Sequence, residues 1–334
     1  MKRFFLILLI AAGTTLPLIA EEEEKLADEQ RVALTAVIES DGIPATAQKQ
    51  LINKMNQIAA KNGCAATANS RFVITCTVDE LTKDITATVP AMHAYTLGVT
   101  FFVGDGVEGR LFSSTTVEAK GVGQTPDKAY ISALKSVKVG DPAIKAMVDK
   151  GKQEIVAYYN ANCELIIAEA KAMAARHEFT EALAALTGIP NVCAECYQKA
   201  LDESVTTYQA WSDDVCNTAM QKAKSAWASR DAKAASEALA EVPTDGACND
   251  QAKALQNEIA AKLDAKARQE WDFKMQQYED RVAAQQAKRE EQKNNGVSQQ
   301  EIIRTAAVAA LSTAQSAQAL PAAPKYQIKG KWFK

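Results

Sequence analysis

Apolar and polar positions keep two different periods along this chain, and the change of period divides it. The first part alternates. In the stretch 71–80, Phe72, Ile74, Cys76 and Val78 share one face; in 93–103, Tyr95, Leu97, Val99, Phe101 and Val103 do so; in 110–121, Leu111, Ser113, Thr115, Val117 and Ala119 do so. A period of two predicts strands, and Gly104-Asp105-Gly106 with Gly109 marks a hairpin between the last two. The run 31–40 alternates in the same way and predicts a further strand. Between these lie helical spacings. Leu51, Met55, Ile58 and Ala59 line one side of 43–63, which Gly63 stops. A second helix is predicted over 125–138, with Thr125 as N-cap, Pro126 in the first turn and Asp127 at the positive end. The order β-α-β-β-β-α predicts a small α+β module of one sheet and two helices over 31–140.

From there the pattern is helical. A Pro-started helix over 139–162 leads out of the module, with the boundary near 138–142 and Tyr158 and Tyr159 packing at the junction. Residues 141–255 then contain a duplication. Cys163 and Cys216 stand 53 positions apart, and so do Pro190 and Pro243. Each copy reads as helix, charged break, short helix, Pro stop, further helix, with Arg176-His177-Glu178 answered by Ser229-Arg230-Asp231. Leu165, Ile166, Ala170 and Met173 are expected to share the apolar face of the first helix. A unit of this kind buries its apolar face only by stacking on neighbours.

Residues 250–293 hold no Pro or Gly and predict one long helix, extended over 256–296. Trp271, Met275, Tyr278, Val282 and Gln285 form a heptad-like stripe on it, too short for a sustained coiled coil. A short helix is expected within 297–320, capped by Ser298, with Ile302, Ala306, Ala309 and Ala310 as a thin stripe. The tail 321–334 is basic and places Tyr326, Ile328, Trp332 and Phe333 among lysines. It suits an added strand on a sheet edge of this chain or of a partner, or weak contact with an anionic membrane surface. These four residues are the candidate partner-binding positions.

Composition narrows the setting. Residues 1–20 carry a basic start, an apolar run and a small-residue cut after Ala20, the pattern of a cleaved secretory signal peptide, and no Cys at the cut for lipid attachment. An acidic leader, 21–30, follows. Loss of Lys2 and Arg3 takes the net charge from −3 to −5, which argues against a nucleic-acid surface. A periplasmic or secreted location follows. All seven cysteines fall after that cut, so disulfides are expected. Cys64 with Cys76 closes a local loop. The duplication suggests Cys163 with Cys193 and Cys216 with Cys248, leaving Cys196 unpaired. Cys163 with Cys196 competes, and connectivity stays open at this level.

Chemistry is sparse. Cys193-Ala-Glu-Cys196 matches a thiol–disulfide motif, but a helix stop precedes it rather than a strand. Zinc needs four ligands, and only His93 and His177 are available beside the cysteines. Neither histidine sits in a hydrolytic constellation. No catalytic, cofactor-binding or metal-binding residue is assigned, and no cofactor is expected.

Two resemblances follow from residues quoted above. The charged break followed by "EALAAL..IP…CYQKAL" resembles tetratricopeptide-type helical hairpins, although the period exceeds 34 residues and the Trp/Gly/Tyr pattern is missing. The stretch "VEAKGVGQTPDKAYISALKSV" (117–137) resembles the exported modules of the TolB amino-terminal type and those of curli-secretion and flagellar-assembly proteins, with Gly121 and Gly123 read as the turn from strand to helix. That resemblance implies an assembly or scaffold role in the cell envelope, with protein partners or a second copy of the chain. The competing readings are a thiol–disulfide oxidoreductase using Cys193 and Cys196, or another envelope enzyme, and a ligand-binding module on the concave face of the helices.

Overall fold

The computed structural model describes residues 28–38, 43–66, 70–243 and 246–316. The expected signal peptide, most of the acidic leader, and the tail with Tyr326, Ile328, Trp332 and Phe333 lie outside them.

Strands β1 (Leu34–Ala36), β2 (Phe72–Ile85), β3 (His93–Asp105) and β4 (Arg110–Gly123) form one sheet in that order. β1 is parallel to β2, and the rest is an antiparallel meander. Helix α1 (Ala45–Lys61) makes the crossover between β1 and β2, and α2 (Pro126–Ser136) follows β4. This is the α+β module that the alternating pattern predicts. β1 is much shorter than the expected run 31–40: Arg31 ends a 3-10 turn, and Val32, Ala33, Val37 and Ile38 lie outside the strand.

Register sorts the two faces. Ile74, Val103 and Ser113 form one row, and Cys76, Phe101 and Thr115 the next, on the face that α1, α2 and α3 cover. Gly121 and Gly123 lie inside β4 rather than in a turn. A Cβ at Gly121 would stand 2.0 Å from the Ala133 nitrogen, and one at Gly123 2.4 Å from the Ala129 nitrogen. The two glycines, with Ala129 and Ala133 opposite, let α2 lie against the strand at backbone distance. Their role is close approach.

The helical region opens with α3 (Pro142–Ala175), capped by Asp141, whose side chain accepts from Ala143 N at 2.8 Å. It continues through α4 (Phe179–Thr187), α5 (Ala194–Ala228), α6 (Ala232–Ala240), α7 (Asn249–Lys262), α8 (Ala265–Asn294) and α9 (Gln299–Ser316). The linking helix and the first helix of the duplication are one rod, α3. Likewise α5 joins the last helix of the first copy to the first helix of the second, since no Pro or Gly interrupts it. The buried stripe of α3 runs through Tyr159, Cys163, Ile167 and Ala170; of the expected face Ala170 is buried and Ile166 and Met173 pack against the core partly buried, while Leu165 is 57% exposed. The long helix expected over 250–293 is broken. Leu263 is extended, and Asp264 caps the next helix by accepting from Ala267 N at 2.9 Å, so a capping residue stops what composition would continue. Of the heptad-like stripe, Trp271, Met275 and Tyr278 are buried, and Gln285 is exposed.

The duplication is preserved in the backbone. From Ala175 to Ala228, from Phe179 to Ala232 and from Thr187 to Ala240, the helix ends recur 53 positions on. The breaks match too. His177 and Arg230 hold φ of 62° and 61°. Glu178 N bonds Met173 O and His177 N bonds Ala174 O, each at 3.0 Å; Asp231 N bonds Ala226 O at 3.0 Å and Arg230 N bonds Trp227 O at 2.9 Å. Both are Schellman closures with a non-glycine residue in the left-handed position.

One continuous core runs from the sheet through α3 into the first hairpin, and a second encloses the second hairpin with α7 and the start of α8. The junction is locked by Arg71, which donates to Asp105, to Glu108 and to the Gly188 carbonyl. Asp105 is 1% exposed and also accepts from the Tyr159 hydroxyl at 3.1 Å and from the Val107 and Glu108 amides at 2.9 Å. Burial drives the Tyr159 hydroxyl well above its ordinary pKa; Arg71 opposes the shift and Asp105 adds to it. Tyr158 packs on Phe112 and under the Arg110 guanidinium.

Candidate functional site

The cysteines are the one chemically distinctive set, and the helices sort them. Cys163 on α3 is bonded to Cys196 on the first turn of α5, with Cα atoms 5.6 Å apart. Cys216 on α5 is bonded to Cys248 at the start of α7, with Cα atoms 6.0 Å apart. Cys64, Cys76 and Cys193 are free and buried. Two expectations are therefore corrected. Cys163 pairs with Cys196 and not with Cys193, and Cys196 is not left over. The reason is register. Counting on from the aligned Pro190 and Pro243 without a gap, Cys193 corresponds to Gly246, and the second copy is one residue shorter before its cysteine. A Cβ at Gly246 would meet Cys216 Sγ at 2.7 Å, so glycine stands where the first copy accommodates Cys193.

The local bridge between Cys64 and Cys76 is absent. Cys64 follows the end of α1 and its thiol donates to Ala59 O at 3.3 Å, whereas Cys76 lies mid-strand opposite Phe101. Burial pushes their thiols up, to about 11 for Cys64, where Lys152 opposes the shift, and to about 12 for Cys76, so both stay protonated and unreactive in the fold.

Cys193 is the N-cap of α5. Its sulfur accepts from Cys196 N at 3.4 Å and its thiol donates to Asn160 Oδ1 at 2.6 Å. At 1% exposure it cannot meet a substrate disulfide without local opening. The Cys-x-x-Cys spacing thus places one thiol beside a disulfide made to a third cysteine. The histidines are apart from it. His177 pairs with Asp214 at 3.0 Å on the surface, and His93 begins β3. Among the described residues no group of three or more His, Cys, Asp or Glu is disposed to hold a metal ion, and no helix is long and apolar enough to cross a membrane.

A cleft that no motif announced lies between α5, α8 and α9. It has a volume of about 410 Å³ and is lined by Tyr208, Ile302, Ile303 and Ala306, with Ser212, Asp213, Arg289 and Gln299 among its polar lining. The Ser212 hydroxyl is buried without a hydrogen-bond partner. The volume is in the range of small-molecule sites, but the lining offers one tyrosine rather than an aromatic cage. Sequence reading placed Ile302 and Ala306 on an apolar stripe but missed the cleft, because its other walls come from segments up to about a hundred residues away along the chain.

No family model matches the chain, and no curated protein does. Among solved structures, a Caulobacter crescentus chain provisionally described as a lipoprotein aligns with 38% of this chain and 86% of its own length, at 10% identity and a TM-score of 0.21. Similarity at that score carries no argument about fold or function.

Proposed function

We propose that this protein is a non-enzymatic scaffold of the cell envelope, working outside the cytoplasm and binding protein partners through its helical hairpins or its basic tail. The observation that carries the reading is that both copies of a duplicated helical hairpin are closed by a disulfide. Such bonds persist in oxidising compartments and are compatible with an extracytoplasmic location. Each closes a loop of 33 or 32 residues, worth about 3 to 4 kcal/mol in the chain-entropy description. That is a large contribution where α6 buries only Ala235, Ser236, Ala238 and Leu239. The sheet-and-helix module at 34–136 is of the α+β kind that the resemblance to modules of the TolB amino-terminal type implies, and the stacked hairpins are of the kind that the tetratricopeptide-type resemblance implies. The enclosure of Cys193 and the commitment of Cys196 to a bond weigh against the oxidoreductase reading. Two copies of the scaffold binding each other is one form the partner contact can take.

Mass mapping of the exported protein under non-reducing conditions is the test of compartment. Alkylation at pH 8 should leave Cys163, Cys196, Cys216 and Cys248 unlabelled even after unfolding, and label Cys64, Cys76 and Cys193 only then. Seven free thiols, or turnover of a disulfide substrate by the folded protein, would overturn the reading. Affinity capture with cross-linking, compared between the full chain and one ending at residue 320, tests partner binding. Loss of partners on truncation places binding in the tail, retention places it on the hairpins or the sheet, and capture of none by either chain sinks the scaffold assignment.

A further inference from the structure

The three helices that meet the sheet approach it from one side, yet the other side is not bare. By register, Val73 and Gly104 form one row of that second face, Thr75, Phe102 and Ser114 the next, then Thr77, Thr100 and Thr116, then Asp79, Gly98 and Glu118. Val73, Thr75 and Phe102 are 0%, 0% and 9% exposed, and Val73 and Phe102 stand apart from the core that α1, α2 and α3 close. The Thr75 hydroxyl is buried with no hydrogen-bond partner. A face of this kind, dry at one end and acidic towards the other, is dressed for an apolar segment with positive charges.

We propose that the C-terminal segment 321–334 of the same chain lies across this outer face of the sheet, with its aromatic and aliphatic side chains over Val73 and Phe102 and its lysines towards Asp79, Glu118 and Glu108. Three observations favour this occupant. The segment places Tyr326 and Ile328 on either side of Gln327, with Lys325 and Lys329 flanking them, and continues as Lys331-Trp332-Phe333-Lys334. The helix before it is anchored at the right end of the sheet: Arg304 of α9 donates to Thr187 O at 3.2 Å, and the neighbouring Gly188 carbonyl accepts from Arg71, two residues before Val73. From Ser316 to Tyr326 the chain can span at most roughly 33 to 36 Å, more than the roughly 18 Å of helix that separates Ser316 from Arg304. The acidic leader is the poorer match, since Glu21 to Glu24 would face Asp79 and Glu118. The inference goes beyond the scaffold reading and does not need it: a seated tail is measured on the isolated protein, and partner capture is measured separately.

Limited trypsin digestion of the full chain, followed by mass spectrometry, tests it. Cleavage after Lys325, Lys329 and Lys331 should be slow in the native protein, and faster by about ten-fold or more in Phe102→Asp, because a seated segment must open before it is cut. The variants Ile328→Asp and Trp332→Asp release the tail from its own side and leave the sheet untouched, so a misfolded Phe102→Asp does not decide the matter. Removal of residues 1–24 should leave the protection unchanged. Equal, rapid cleavage in the native protein and all three variants would overturn the proposal. So would protection that disappears on dilution, which assigns the cover to a second copy, or protection that vanishes with residues 1–24.

Discussion

The two helical hairpins share a backbone to the residue and differ in what surrounds them. In the first, α4 buries Phe179, Ala182, Leu183 and Leu186; in the second, α6 buries Ala235, Ser236, Ala238 and Leu239. Leu183 in one copy is Ser236 in the other, and Phe179 is Ala232. The first hairpin belongs to the core that continues into the sheet, and α9 adds Ala307 and Leu311 over Leu183. The second hairpin has α7 and the start of α8 for cover. Thus one duplicated unit has become the abutment of a sheet and the other a lighter extension, while the disulfide and the left-handed break persist in both. What the pair teaches is that the covalent and local features of the repeat survive large differences in apolar packing.

The largest way to break the comparison is at the lock that only the first hairpin has. Asp105→Ala removes the buried acceptor of Arg71, of the Tyr159 hydroxyl and of the Val107 and Glu108 amides, leaving Arg71 only Glu108 and the Gly188 carbonyl, and should cost about 3 kcal/mol in denaturant unfolding. Hydrogen exchange should rise in α4 and remain unchanged in α6. Removing the staples comes next. The double substitutions Cys163→Ala/Cys196→Ala and Cys216→Ala/Cys248→Ala should each lose about 3 to 4 kcal/mol. Only the second should let its hairpin open locally, read as fast exchange in α6 below the global transition; equal behaviour would deny the asymmetry. Smaller still is the exchange of Cys193 and Gly246. Gly246→Ala forces a methyl against Cys216 Sγ and should cost roughly 1 to 3 kcal/mol, whereas Cys193→Ala in the roomier first copy should cost less than that in thermal unfolding. The smallest effect has the opposite sign. His177→Gly and Arg230→Gly each relieve a left-handed residue and should raise stability by up to roughly 1 kcal/mol. The gain is reduced by loss of the Asp214 pair in one and of the Arg230 guanidinium over Trp227 in the other.

Much of this architecture was legible beforehand, and the misses share a cause. The strands, α1 and α2 follow from a period of two giving way to a helical one, and the 53-residue duplication is visible in Cys163, Cys216, Pro190 and Pro243. The errors fall where one side chain outweighs a pattern. Asp264 ends a helix that composition would extend. Gly121 and Gly123 read as a turn, since nothing local says that a helix will lie against them. Cys193 and Cys196 are three residues apart, nearly one helical turn, and only the position of Cys163 on α3 selects between them. The cleft at Ser212 showed in the sequence only as the apolar stripe of Ile302 and Ala306, since its walls meet through packing.

The amino-acid sequence by itself determined the elements, their order and the internal repeat, because periodicity, caps and breakers act over a few residues. The tertiary structure alone decided the disulfide partners, the burial of Asp105 and the two-sided burial of the sheet. Those depend on which surfaces meet across more than thirty residues of chain, and no local rule carries that information.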